Sequence, residues 1–407
     1  MKILLLCHKP PLPSRDGGSI ATYSLVSALV KLNHTLDLLA MTTPKHDMGK
    51  NGTEIYKGCN KVRFVYVNTG INIIKLLLNL VCSRLPYVVT RFRSAGFEKQ
   101  LSLMLLSGGY DIVQLESVYL MLYADTIKKT SASTVVLRTH NAEFEIWKHL
   151  SNSHGNFLNR LYYRFLYKRM YRFESEAINK YDLLVTLTDH DLLQYNKMGN
   201  TKPALVNPAG IDLTLSDRST ETSERATTEQ SCKTLFFLGS LDYMPNQEAV
   251  LWFVRNVFNL LFINHPNIKF NIAGRNAPAW LIKKLEQPGV VFRGEIKNAS
   301  DFIRSNDICI VPCFSGSGIR IKIIEAMYFG KPVITTPLGA QGIEATVNKE
   351  ILIAENSDEF SSTIEKLLGN HAFYTNISWN AAQLIRDKYN NLTLSDNLVH
   401  FYKTHMK

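Results

Sequence analysis

The chain has 407 residues, of which 45% are hydrophobic, and this length exceeds what a single hydrophobic core usually supports. Two domains are therefore expected. The formal net charge of +11 favours an anionic partner, such as a nucleotide, a nucleic acid or an acidic membrane surface, without choosing among them. The close cysteine pair Cys309 and Cys313 has no His or Cys partner at zinc spacing, so free thiols in a reducing compartment are expected.

The N-terminal apolar run of about five residues before His8 is too short for a secretion signal. The stretch from Gly70 to Cys82 is more apolar, but Asn72, Lys75 and Asn79 interrupt it, and no stretch approaches the roughly 18 to 20 apolar residues of a membrane span. We therefore expect a cytoplasmic protein, with a peripheral position at the inner face of the cell membrane as a further expectation.

Short apolar, β-branched runs alternate with longer amphipathic stretches along the first half of the chain. Such runs are typical of buried parallel strands, with several of the intervening stretches forming helices. The runs are KILLLC, LDLLAM, VRFVYV, DIVQLE, TVVLRT and DLLVTL. This alternation predicts a doubly wound α/β domain.

The alternation stops at residues 216–233, a polar segment that we interpret as an interdomain linker or a long surface loop. It resumes with TLFFLG, IKFNIAG, VVFRGE, DICIVP and KPVITT. We therefore predict two Rossmann-like domains, 1–215 and 234–385, with the C-terminal helix 386–407 completing the first. Ligands of open α/β sheets bind beyond the carboxyl ends of the strands, so a central cleft that both sheets face is the expected site.

The loop after the first predicted strand ends in Gly17, Gly18 and Ser19, which open a helix. A glycine pair lets backbone N–H groups approach an anion at the positive end of a helix, which indicates a phosphate-binding or sugar-binding loop. The alternative is a plain turn with Ser19 as the N-cap. The G-x-G-x-x-G spacing of a dinucleotide site is absent, which argues against nicotinamide chemistry.

His140 follows the predicted strand TVVLRT and is expected to face the cleft. An imidazole there can hydrogen-bond to a sugar hydroxyl or a phosphate oxygen. The alternative is a histidine that only caps its own loop.

The sequence FSGSGIRIK, from Phe314 to Lys322, has the features of an anion site. Gly316 and Gly318 leave room for close approach, and the N–H groups at the start of the following helix favour a phosphate. Arg320 and Lys322 add positive charge, so this loop is predicted to bind a diphosphate.

Glu325 lies further along the same predicted helix, within an otherwise apolar stretch. An ionised carboxylate has only acceptors and can bind the two vicinal hydroxyls of a ribose. Diphosphate and ribose together indicate a nucleotide. The alternative is an ordinary exposed helix residue.

The segment SGSGIRIKIIEAMYFGKPVITTPLGAQGI resembles the signature of glycosyltransferase family 4, a retaining family of GT-B fold. Weaker matches extend over nearly the whole chain. They are PPLPSRDGG, RTHNAEFEIW, VNPAGIDL, FLGSLDYMPNQEAVLWF, FNIAG and FRGEI.

The resemblance implies a donor site at Gly17, Gly18, Gly239, Arg293, Gly294, Ser317, Gly318, Ile319 and Glu325. Within it, Glu325 binds the nucleotide ribose and residues 293–295 lie against the base. His140 contacts the transferred sugar, while Gly17 and Gly18 line the donor phosphate or the acceptor side.

This sequence departs from the family at two places. Ser317 stands where the family commonly has a first glutamate that contacts the sugar, and no basic residue follows the first strand of the second domain. Arg320 and Lys322 are therefore expected to bind the phosphates and, with His140, to form the catalytic group. The leaving phosphate can take the acceptor proton itself, so neither a metal nor a cofactor is expected.

The predicted function is sugar transfer from a UDP- or GDP-linked donor to a lipid-linked or growing glycan acceptor. A nucleotide-sugar epimerase of similar shape would need carboxylates for elimination chemistry, which we do not find. A catalytically silent nucleotide-sugar binding module is the second alternative, because the first glutamate is missing. A nucleic-acid partner is not expected, because no basic stripe with interleaved stacking aromatics is evident outside one helix.

That helix, residues 156–172, is predicted to hold the protein at an anionic membrane surface. Its cations are Arg160, Arg164, Lys168, Arg169 and Arg172, without an acid. Aromatic and aliphatic side chains recur between them at three- and four-residue spacing. The alternative is a helix packed on the core with a solvated basic face.

Overall fold

The computed structural model describes residues 1–13, 16–44, 46, 55–152, 157–213, 234–316 and 318–406. The predicted linker 216–233, together with Ser317 and Asn156, lies outside them. Contacts divide the chain into two units, with residues 1–209 and the stretch from Leu392 onwards in the first and Gly210–Asn391 in the second. The sequence-based division had placed residues 210–215 and 386–391 in the first domain.

The first unit is built on a parallel sheet that has seven strands within the described residues, in the order β3-β2-β1-β4-β5-β6-β7. The strands are β1 Lys2–Cys7, β2 Thr35–Thr42, β3 Lys61–Tyr66, β4 Ile112–Leu115, β5 Thr134–Thr139, β6 Leu183–Thr186 and β7 Ala204–Val206. Alternate side chains of β1 enter different core clusters, Leu4 and Leu6 in one and Ile3 and Leu5 in the other. Both faces of the sheet are therefore covered, which explains why its strands are apolar throughout.

Helices follow most strands of this unit. They are α1 Gly17–Lys31, α2 Ile73–Cys82, α3 Tyr87–Thr90, α4 Ala95–Gly108, α5 Ala124–Thr130, α6 Glu143–Asn152, α7 Phe157–Ala177 and α8 Asp189–Lys197, with a 3-10 helix at Val118–Tyr123. Helix α7 is in the core only through its second half, where Leu166, Met170 and Phe173 are buried.

The second unit has a parallel sheet that has six strands within the described residues, in the order β10-β9-β8-β11-β12-β13. The strands are β8 Thr234–Leu238, β9 Lys269–Ala273, β10 Val290–Gly294, β11 Ile308–Val311, β12 Val333–Thr335 and β13 Leu352–Ile353. Its helices are Met244–Phe253, Asn259–Asn264, Ala279–Leu285, Ala299–Arg304, Ile321–Tyr328, Pro337–Ala340, Ser357–Gly369 and His371–Lys388, with a π-helical turn at Val254–Phe258. The prediction of two Rossmann-like α/β domains is confirmed.

The last helix, Asn391–His405, returns the chain to the first unit. Leu398, Val399 and Tyr402 join the core cluster that contains β1. The Tyr402 hydroxyl donates to Gln114 Oε1 over 2.5 Å, and both side chains are buried. This hydrogen bond ties the helix to β4 at the centre of the sheet.

Replacing Tyr402 by phenylalanine should lower the free energy of unfolding by about 1–3 kcal/mol, because Gln114 Oε1 would be left buried without a donor. Denaturant unfolding measures the change. The matched control is Tyr66→Phe, at a tyrosine that is 63% exposed. Equal stability of the two variants would contradict the role given to this hydrogen bond.

Candidate functional site

The loop between β11 and the helix Ile321–Tyr328 depends on two glycines. Gly316 has a φ of 92° and Gly318 a φ of 80°, conformations that other L-residues rarely adopt. A Cβ atom on Gly316 would lie 2.9 Å from Tyr243 Oη. The loop therefore needs glycine at position 316 for both backbone conformation and space.

Arg320 ends this loop, and its guanidinium turns back onto it. One terminal nitrogen donates to the Gly318 carbonyl, while the other donates to the Gly316 carbonyl at 3.2 Å and to Cys313 Sγ at 3.3 Å. Several donors of Arg320 thus stabilise the loop itself. Its predicted role as a phosphate ligand stays a prediction, and so does the role of Ser317, which lies outside the described residues. Ile319 is partly buried beside Arg320.

Lys322, on the first turn of the helix, brings together groups from three segments. Its ammonium donates to Asn246 Oδ1 at 2.7 Å and lies 4.2 Å from the centroid of the Phe237 ring. A Cβ atom on Gly239 would lie 2.7 Å from Lys322 Nζ, so glycine is what allows the ammonium to reach the end of β8. Burial, together with the nearby Arg320 charge, lowers the pKa of Lys322 to about 8.

Glu325 follows Lys322 by three residues, so the two side chains lie on the same side of the helix. The carboxylate is partly buried, and it accepts no hydrogen bond from the residues that the structure describes. Burial raises the pKa of Glu325 to about 7, although the Lys322 charge opposes the shift. Because the Glu325 carboxylate accepts no hydrogen bond from the described residues, it can accept hydrogen bonds from a ligand.

The loop after β9 adds a basic residue that the sequence analysis missed. Arg275 Nε donates to Ser240 Oγ at 2.9 Å, beside the end of β8. A Cβ atom on Gly274 would lie 1.9 Å from the Gly239 carbonyl oxygen, so the two loops approach closely only because Gly274 has no side chain. Arg275 follows β9, whereas the family pattern places basic residues in the loop after β8, so this cation was not predicted.

Residues 293–295, predicted to lie against the base, lie at the end of β10, whose last residue is Gly294. Gly294 has a φ of 65°, and its carbonyl accepts from Gly274 N–H at 2.8 Å. Arg293 and Glu295 are exposed on either side of it. The structure thus brings the ends of β8, β9 and β10 together at one edge of the sheet.

The start of α1 is capped by Asp16, not by Ser19 as the alternative had it. The Asp16 carboxylate accepts from Ser19 N–H at 2.9 Å and is paired with Lys9 at 2.7 Å. Although burial opposes ionisation, Lys9 holds the pKa of Asp16 below its usual range. Gly17 is exposed, and a Cβ atom on Gly18 would lie 3.0 Å from His140 Nδ1.

A buried carboxylate positions His140. Glu116 Oε2 accepts from His140 Nε2 at 2.9 Å, from Arg138 at 2.8 Å and from Thr22 Oγ1 at 3.0 Å. Burial opposes ionisation of Glu116, but the Arg138 charge and the His140 hydrogen bond lower its pKa to about 2. The Nε2 atom is thereby engaged, and Nδ1 is directed towards Gly18.

Glu116 was not found from the sequence, although it directly follows β4, as His140 follows β5. His8, directly after β1, contacts Glu116 and was also not singled out from the sequence. Its Nδ1 lies 3.1 Å from the Glu116 carbonyl, and its ring packs edge-on against Phe92 and Tyr119. Burial lowers the pKa of His8 to about 3, so the imidazole is neutral at pH 7.

No group of three or more His, Cys, Asp or Glu side chains placed to hold a metal ion occurs among the residues that the structure describes. The described cysteines are free, and burial raises the pKa of Cys7 and Cys309.

Residues 232–370 match the family described as Glycosyl transferases group 1. The chain carries a glycosyl transferase group 1 domain. This domain contains Gly239, Arg275, Lys322 and Glu325. An uncharacterized 44.6 kDa protein in the cps region of Klebsiella pneumoniae is 25% identical over 410 residues, which cover 95% of this chain and 96% of that protein.

Solved structures resemble this chain over nearly its whole length. Sucrose-phosphate synthase from Thermosynechococcus elongatus has a TM-score of 0.70 at 13% identity, over 99% of both chains. Anabaena Alr3699/HepE in complex with UDP has a TM-score of 0.67 at 15% identity, over 99% of this chain and 100% of that one. At these identities the likeness establishes the fold, which is the GT-B fold of glycosyltransferases.

Replacing Glu325 by glutamine should stabilise the protein at pH 8 and have a smaller effect at pH 5. The folded-state pKa of about 7 lies above the ordinary value of 4.5, so wild-type stability falls as the pH rises from about 4.5 through 7. Glutamine carries no charge and avoids this loss. Differential scanning calorimetry at both pH values measures it.

The control is Glu286→Gln, at an exposed glutamate of the same unit. A Glu325→Gln variant that is less stable than wild type at pH 8 would mean that the carboxylate is stabilised by its surroundings, contrary to this account.

Proposed function

We propose that this protein is a retaining glycosyltransferase that moves a sugar from a nucleotide-sugar donor to an acceptor hydroxyl in surface-polysaccharide or glycoconjugate synthesis. The observation that carries the proposal is the pair Lys322 and Glu325. This pair places a poorly solvated ammonium and a carboxylate that accepts no hydrogen bond from the described residues at the strand ends of the glycosyl transferase group 1 domain. The cps-region relative and the UDP complex of Alr3699/HepE support the pathway class and the donor class.

In the proposed donor complex, Glu325 accepts the two ribose hydroxyls and Lys322 binds the diphosphate. Arg275 lies close enough to the end of β8 to contribute a second cation. It would thereby replace the basic residue that is absent directly after that strand. Arg293, Gly294 and Glu295 would border the base. Gly318 and Ile319, in the loop just before the helix, would offer backbone N–H groups to the phosphates.

Catalysis in this proposal is electrostatic. As the bond between the sugar and the nucleoside diphosphate breaks, negative charge grows on the leaving phosphate. An ammonium in a poorly solvated position interacts with that charge more strongly than one in water. The leaving phosphate then takes the proton of the acceptor hydroxyl, which attacks from the same face of the sugar. The configuration is retained, and this scheme uses neither a metal ion nor a cofactor.

His140 is proposed to position the transferred sugar through Nδ1. With Nε2 hydrogen-bonded to Glu116, Nδ1 is the ring nitrogen that would hydrogen-bond to a sugar hydroxyl. Gly17 and Gly18 stand beside it at the start of α1, where absent side chains leave space for donor or acceptor. The acceptor is proposed to be a lipid-linked or growing glycan, presented at an anionic membrane surface.

Saturation-transfer NMR with a panel of UDP- and GDP-sugars, followed by an assay of donor hydrolysis, tests the proposal. We expect one nucleotide series to bind and to be hydrolysed slowly without an acceptor. Binding without turnover of any donor, with or without lipid-linked and glycan acceptors, would favour a silent binding module instead.

Lys322→Ala should lower kcat by about 10²–10³ and raise the donor KM less, because the leaving-group charge is largest in the transition state. Steady-state kinetics measures both constants, with the donor that the panel of UDP- and GDP-sugars identifies. Lys283→Ala, at an exposed lysine of the same unit, is the control. A change in KM alone would mean that Lys322 binds only the ground state.

His140→Ala should abolish most turnover while the protein stays folded, because Glu116 would keep its hydrogen bonds from Arg138 and Thr22. Turnover and the thermal midpoint are measured together. His149→Ala, at an exposed histidine on α6, serves as the control. Full activity of His140→Ala would leave this histidine a structural residue.

A further inference from the structure

Helix α2 presents its apolar side chains to solvent. None of its residues is buried, and five of its apolar side chains are between 56% and 84% exposed. They are Ile73, Ile74, Leu77, Leu78 and Val81, which recur at three- and four-residue spacing and so lie along one face. A surface helix normally turns such a face towards the core. In α2 this face points outward.

The opposite side of α2 is fixed to the protein by polar contacts. The Arg169 guanidinium of α7 donates to the Asn79 carbonyl at 3.0 Å and to the Leu80 carbonyl at 2.9 Å. At the other end of the helix, Asn72 N–H donates to the Tyr87 hydroxyl at 2.9 Å. These contacts hold the helix with its apolar face outward. Arg169, counted from the sequence among the cations of a membrane-facing helix, instead hydrogen-bonds to the end of α2 and holds it in place.

The beginning of α7 extends the apolar surface. Phe157, Leu158 and Leu161 are between 57% and 70% exposed. Exposed cations accompany both helices and the segment after α2. They are Lys75, Arg84, Arg93, Arg160, Arg164, Lys168 and Arg172. Neither 71–97 nor 157–173 contains an aspartate or glutamate.

The charge of this surface decides between a second copy of the chain and a lipid. Two copies meeting through it would bring two sets of cations together without an acid to pair them, which is unfavourable. A bilayer that contains anionic lipids offers both an apolar layer for α2 and negative headgroups for the cations. We propose that α2 and the start of α7 form a membrane-docking surface, with α2 as the element that inserts into the lipid.

At this surface α2 would lie in the plane of the bilayer. Ten residues span about 15 Å, and interfacial helices bury their apolar face by about 5–10 Å. Among the described residues no helix has the length and apolar character needed to cross a membrane. Presentation of a lipid-linked acceptor would be the purpose of docking, and in that respect alone the inference rests on the proposed function.

Flotation with vesicles tests the inference on the full chain. We expect the wild type to float with vesicles of phosphatidylglycerol and phosphatidylcholine at low salt, and not with phosphatidylcholine alone. Ile74→Gln with Leu77→Gln should reduce the partition coefficient by about tenfold or more, because two side chains no longer favour the apolar layer. The matched control is Leu103→Gln with Leu106→Gln on α4, where the exposed fractions are similar, 53% and 75% against 70% and 56%.

A second variant pair tests the cations. Reversal of Arg160, Arg164 and Lys168 to glutamate should reduce the partition coefficient by at least about 100-fold, at roughly fivefold for each cation removed from an anionic surface. The same number of charges reversed at Lys99, Lys128 and Lys129, which are exposed elsewhere on this unit, should change it much less.

Three outcomes would overturn the inference. The wild type could fail to float at low salt, or the α2 variant could float as well as the α4 control. Analytical ultracentrifugation could also find a wild-type dimer that the α2 substitutions dissociate, in which case a second copy covers this face. Donor hydrolysis, measured on every variant, is expected to be unchanged. Vesicle binding without any donor turnover would refute the proposed function and leave the docking surface standing.

Discussion

Several local features of the second unit depend on the placement of one poorly solvated cation, Lys322. For Lys322 to reach the end of β8, position 239 must be glycine, Asn246 must accept from the ammonium and the loop before the helix must turn tightly through Gly316 and Gly318. A buried charge without a full set of partners is unfavourable, and Glu325 adds an unfavourable carboxylate nearby. Sites of binding and catalysis commonly carry such costs, which a charged ligand relieves on binding.

In the first unit, by contrast, the central charges are paired with each other. Its central charges, Glu116 and Arg138, are buried and hydrogen-bonded to each other, and the carboxylate also accepts from Thr22 and His140. Arg138 Nε is buried without a hydrogen-bond partner among the described residues. Paired buried charges of this kind hold geometry more than they add stability. The network leaves one ring nitrogen of His140 directed at the start of α1. The first unit therefore offers a rigid histidine, and the second offers a poorly solvated ammonium, hydrogen-bonded to Asn246, on the same helix as the Glu325 carboxylate.

The fold was largely predictable because each buried parallel strand is a short apolar run. The edge strands β7 and β13 were missed, since two or three residues carry too little pattern. Of the site, the glycine loop and Lys322 could be found because their spacing is local. Glu116, Arg275 and the outward face of α2 could not, because each depends on which segments the fold brings together. In α2 the same periodicity fits a buried or an exposed face.

The central claim is that the second unit binds a nucleoside diphosphate through Lys322 and Glu325. A crystal structure of the protein with UDP or GDP tests it most directly. The account predicts ribose hydroxyls within hydrogen-bonding distance of the Glu325 carboxylate and a phosphate oxygen within that distance of Lys322 Nζ. A nucleotide bound away from both side chains, with the contact between Lys322 and Asn246 undisturbed, would contradict it.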